Sequence, residues 1–148
     1  MGWFRYPLGL VLASIFMALA GVIVQTQYVL AALSAAGANI SAGDRLSMTV
    51  SDVAGLGPLY LVFILIGFAI AFGAGALVLR FAPLPRTLIY AVAGAVCMFV
   101  MLMLMREVFF GVPVIAGARS LAGEISQAVC GAAAGAFFAW TTSRKSQV

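Results

Sequence analysis

Residues 117–140 read GARSLAGEISQAVCGAAAGAFFAW. From Leu121 onward the run is apolar enough to cross a bilayer, whose hydrocarbon core of about 30 Å needs roughly 20 helical residues. Yet it carries Glu124 and Gln127. A carboxylate turned towards acyl chains is costly, so the helix must point it elsewhere. At about 100° per residue, Ser120, Glu124, Gln127, Gly131 and Gly135 fall within roughly 40° of one line. Gly131-Ala-Ala-Ala-Gly135 is a GxxxG pattern, which lets backbones approach closely in lipid, where no hydrophobic drive pulls helices together. The acid, the amide and the paired glycines therefore share a face, and that helix-packing face is expected to meet protein.

Composition sets the class. The chain has 148 residues, of which 65% are hydrophobic and 8% charged, and its mean hydropathy is +1.18. A soluble domain carries about a quarter of its residues as charges. This chain has too few to cover a globule, so it reads as an integral membrane protein. Three further apolar runs join the last one, giving expected spans at 7–33, 58–79, 87–105 and 120–140. The expectation is a single all-α transmembrane domain over residues 1–148, a compact antiparallel four-helix bundle with outer loops at 34–57 and 106–119. Ala18-Leu19-Ala20 resembles a signal-peptide cleavage site. The apolar core of that run is longer than an ordinary h-region, and it is read as a retained helix. Pro58 suits the first turn of its helix, where a missing N–H costs nothing.

Charge asymmetry sets the expected orientation. One side would hold Arg5, Arg80, Arg86, Arg144 and Lys145 and no acid; the other would hold Arg45, Arg106 and Arg119 with Asp44, Asp52, Glu107 and Glu124. The excess of Lys and Arg marks the cytoplasmic side. Both termini are therefore expected in the cytoplasm, in a cell inner (cytoplasmic) membrane crossed several times. The basic balance is topological and does not point to nucleic acid.

Chemistry-bearing residues are few. Histidine is absent, which removes His-ligated metals and haem and Ser/Cys–His catalysis. Cys97 and Cys130 lie in apolar runs and read as small buried thiols. Met98, Met101 and Met105 share a face and read as core filling. The stretch Thr49–Gly55 reads as a short interfacial turn of helix capped by Thr49 or Ser51, and Asp44 and Asp52 as solvated loop residues. No cofactor, metal site or catalytic constellation is expected, and the chain is not read as an enzyme.

Glu124 admits two readings. It lies about 24 Å from Trp140 along the helix, close to the outer border of the span. There it would make a structural hydrogen bond or ion pair at a helix seam. Alternatively it is a protonatable coupling residue, with Gln25, Arg106, Glu107, Arg119 and Gln127 along an ion or substrate path. Gln25 and Gln27 are placed to hydrogen-bond Glu124 or Gln127 across the bundle. The favoured function is a non-catalytic accessory subunit or self-assembling membrane scaffold; the alternative is a small transporter or channel. Expected partners are the lipid bilayer and a second copy or a larger membrane protein.

Overall fold

The computed structural model describes residues 4–108 and 120–143. These form five helices without strands: α1 (Arg5–Ala35), α2 (Ala42–Gly55), α3 (Gly57–Phe81), α4 (Arg86–Val108) and α5 (Leu121–Thr142). Four of them, all but α2, are long and apolar enough to cross a membrane. Sequence reading counted the spanning elements correctly and drew them short. The third expected span extends past 105 to Val108, and the first outer loop contains a helix of 14 residues.

Local chemistry explains the ends. α1 stops in a Schellman turn: Ala38 N–H donates to the Leu33 carbonyl and Gly37 N–H to that of Ser34, both at 3.1 Å. Gly37 adopts φ +94°, a left-handed conformation that a side chain would strain. With 31 residues, α1 is about 46 Å long, so it must tilt or run beyond a core of about 30 Å. α3 carries Pro58 in its first turn, and Pro83 and Pro85 lie in the residues between α3 and α4, where helix cannot continue.

The cap of α2 corrects the sequence reading. It is neither Thr49 nor Ser51 but Ser41, whose Oγ accepts from Asp44 N–H at 3.2 Å while Asp44 Oδ2 accepts from Ser41 N–H at 3.0 Å. This capping box satisfies two backbone donors at once. Asp44 is thus part of the helix start and not a free loop carboxylate. The Ser41 hydroxyl and backbone N–H, both donating to it, hold its pKa below the usual carboxylate value.

The spanning helices run alternately up and down. α1 packs on α3 and α5, and α4 packs on α3 and α5, so the four form a ring in the order α1, α3, α4, α5. Side-chain bonds fix the directions. Arg5 at the start of α1 donates to the Ser143 carbonyl at the end of α5, at 3.0 Å, and Arg86 at the start of α4 donates to Thr142 Oγ1 at 2.6 Å. At the opposite end Arg106 of α4 pairs with Glu124 of α5. α2 lies at that second end, packed on α1 and α3. There Thr26 Oγ1 of α1 donates to Asp52 Oδ2 at 2.8 Å, so Asp52 also ties elements together.

The tightest seam is α4 against α5. A Cβ added at Gly131 would lie 2.5 Å from the Gly94 carbonyl oxygen, and one at Gly94 or Gly135 would collide with the backbone of Gly131 or Tyr90. Three glycines therefore let the two backbones meet with nothing between them. The GxxxG pair is consumed inside this chain, against a glycine of α4. Below this contact Phe72, Tyr90 and Phe138 close the core, with ring centroids 4.5 Å apart for Phe72–Phe138 and 4.9 Å for Tyr90–Phe138. Such stacked and edge-on pairs add to area burial.

Gly135→Ala should destabilise the bundle by about 2 kcal/mol or more in equilibrium unfolding from mixed micelles, as overpacking against backbone does. Gly73→Ala, a position with nothing within 4 Å of the new methyl, should stay within about 1 kcal/mol of wild type. Because the Asp44 pKa is lowered on folding, its support of α2 should be complete above its ordinary 3.8 and lost as pH falls through the lowered value. Amide exchange in the first turn of α2 should accelerate over that range, and Asp44→Asn should abolish the dependence.

Candidate functional site

The polar half of α5 gathers the residues singled out in the sequence. Ser120 is the N-cap of α5, its Oγ accepting from Gly123 N–H at 3.1 Å. It is exposed and starts the helix; it does not pack in the seam. Glu124, in the first turn, pairs with Arg106 in the last turn of α4. Antiparallel packing places the acid at the positive end of one helix dipole and the base at the negative end of the other, so both dipoles favour the pair. The side chains retain 18% and 45% of their exposure. Incomplete burial of this kind at a head-group border weakens an ion pair.

Gln127 is one turn deeper and buried. Its Nε2 donates to the Gly21 carbonyl of α1 at 2.9 Å, and its Oε1 accepts from Tyr60 Oη of α3 at 3.1 Å. One amide thus joins three helices. Glycine at 21 is needed for this approach: a Cβ there would lie 2.8 Å from Gln127 Oε1 and 3.0 Å from the Tyr60 ring. The neighbouring turn of α5 adds Ser126, whose Oγ is 2.8 Å from Tyr28 Oη of α1. Gly131 and Gly135 follow below, buried against α4.

The other expected path residues disperse. Gln25 is buried on α1 but bonds neither Glu124 nor Gln127, and Gln27 donates instead to Thr49 Oγ1 of α2 at 3.3 Å. Glu107 is exposed. Arg119 lies outside the described residues, as do Arg144 and Lys145. Among the described residues of the expected path, Arg106 pairs with Glu124, and Gln127 makes separate bonds. Among the described residues, no group of three or more potential metal-ligating side chains comes together.

Sequence reading missed Tyr60, Gly21 and Gly94. Each has a faint signal: a phenol one turn into an apolar helix, and isolated glycines in otherwise bulky spans. Only the fold shows that these sites meet α5.

The arrangement can hold helices together. Three of the chain's four acidic side chains are engaged, Asp44 in a cap, Asp52 with Thr26 and Glu124 with Arg106. The chain matches no known family, no curated protein and no solved structure.

Gln127→Leu should cost about 1–3 kcal/mol, because it leaves the buried Tyr60 hydroxyl without its acceptor. Glu124→Gln should cost less than about 1 kcal/mol, as water-exposed ion pairs do. Unfolding in mixed micelles measures both. The reverse order would mean that the ion pair and not the amide fastens the seam.

Proposed function

We propose that this chain is a non-catalytic module of the cytoplasmic membrane, an accessory subunit that binds a transmembrane helix of a larger membrane protein. The supporting observation is the outward side of α3 and α4. A groove of about 800 Å³ opens there, lined by apolar side chains with Gly67, Ala71, Ala74, Gly75, Ala93 and Cys97 among them. Between helices in lipid, association rests on close van der Waals packing, and small residues permit it. With the glycine pair of α5 already packed against α4, the groove offers the room and the composition to seat another helix. The arginine-bearing end, with Arg5 and Arg86, is taken to face the cytoplasm.

The engagement of Glu124 by Arg106 argues for the structural reading of that acid over the coupling one. If Glu124 instead drove transport, Glu124→Gln would abolish a pH-dependent flux in liposomes while leaving the bundle folded.

Native mass spectrometry after a gentle-detergent pull-down should find a larger membrane protein in fixed stoichiometry. Ala74→Phe, which fills the groove, should abolish that association; Val129→Phe, on the exposed side of α5, should leave it intact. A homo-oligomer broken by Ala74→Phe would assign the same face to self-assembly. A monodisperse monomer without a partner would overturn the proposal.

A further inference from the structure

The two ends of the bundle are chemically opposite. All four acidic side chains, Asp44, Asp52, Glu107 and Glu124, belong to α2, the end of α4 or the start of α5. The other end holds Arg5, Arg80 and Arg86 and no carboxylate side chain at all.

Two of these arginines converge. Arg86 Nη2 donates to Thr142 Oγ1 at 2.6 Å, and Arg5 Nη2 donates to the carbonyl of the next residue, Ser143, at 3.0 Å. The Thr142 hydroxyl passes its own proton to the Phe138 carbonyl at 2.6 Å, so it is set as an acceptor for Arg86. The Arg86 guanidinium lies near two rings, its central carbon 5.9 Å from the Tyr6 centroid and 5.3 Å from that of Tyr90. These contacts hold its plane in place, within the range of cation–π attraction.

Among the described residues, no carboxylate pairs with it. Arg86 Nε is buried and has no hydrogen-bond partner among the described residues, although a guanidinium carries five N–H donors. Arg86 is also the first residue of α4, where the helix dipole is positive, and it leans on the last turn of α5, the negative end of that helix, which favours it. Arg5 adds a second guanidinium within reach of the same helix end. Two neighbouring guanidiniums, one with an unused buried N–H, leave donors free for an anion.

We propose that Arg86 and Arg5 bind the phosphodiester of an anionic phospholipid at this end of the bundle. A phosphodiester matches paired guanidinium forks. The depth is right as well: Phe4, Tyr6, Phe81 and Trp140 are all exposed at this end, the aromatic pattern of a head-group border. Free phosphate shares the anion chemistry, but it lacks acyl chains to hold it at that border.

The test titrates the purified full chain, in zwitterionic detergent, with phosphatidylglycerol, phosphatidylcholine or inorganic phosphate, and reads the thermal unfolding midpoint. Phosphatidylglycerol should raise the midpoint saturably; phosphatidylcholine and phosphate at equal concentration should not. Arg86→Gln and Arg5→Gln should each weaken the apparent affinity roughly fivefold, the scale of one basic residue at an anionic surface. Arg80→Gln, at an exposed position, should retain wild-type affinity. Equal shifts with inorganic phosphate would overturn the lipid as the source. An undiminished response in Arg5→Gln, or an equal loss in Arg80→Gln, would overturn the site itself. Arg5→Gln carries the test should Arg86→Gln fail to fold.

Discussion

Two helices in a bilayer gain little from hydrophobicity when they meet, because acyl chains are as apolar as leucine. The contact between α4 and α5 answers this constraint by removing side chains altogether. Gly94, Gly131 and Gly135 bring backbone against backbone, and dispersion over that surface supplies the attraction that water supplies in a soluble core. The remaining packing is arranged around this seam. Phe138 and Tyr90, on the same two helices, extend it towards one end, and Glu124 and Arg106 close it at the other.

Polar groups in this chain serve assembly. Gln127 links α1, α3 and α5, and its position follows from the same seam: a helix held against α4 by its glycines turns Gln127 towards α1 and α3. Asp52 fastens α2 to α1 through Thr26, and Asp44 starts α2. In a medium without water each polar group must find a partner within the protein; for Gln127, Asp52, Tyr28 and Glu124 that partner belongs to a different helix. Directional bonds thereby select one arrangement of apolar rods that would otherwise slide. Among the described residues the buried exceptions are Ser14 Oγ and Arg86 Nε, which have no hydrogen-bond partner.

The glycine pattern of α5 illustrates how a motif narrows without deciding. GxxxG said that some helix would come close, and it left open whether that helix belonged to this chain. The fold assigns it to α4, and this removes the obvious self-association face. An outward groove lies between α3 and α4, whose small residues are scattered over two helices and form a concavity only when those helices are placed side by side.

Sequence alone indicated a membrane protein, the number of helices able to span and a polar and glycine-bearing side of α5. All of these follow from composition and helical periodicity, which are properties of one element at a time. It misjudged the loop before α3, where a capping box between Ser41 and Asp44 nucleates a helix of modest hydropathy; such helices give no span-like signal. Tertiary structure alone decided the rest: that Gln127 meets Gly21 and Tyr60, that Glu124 meets Arg106, and that two arginines 81 positions apart in sequence converge on Thr142 and Ser143. The reason is geometric. Helices of similar apolarity can be ordered around a bundle in several ways, and only close packing at a few glycines and directional bonds at a few polar atoms distinguish one order from another.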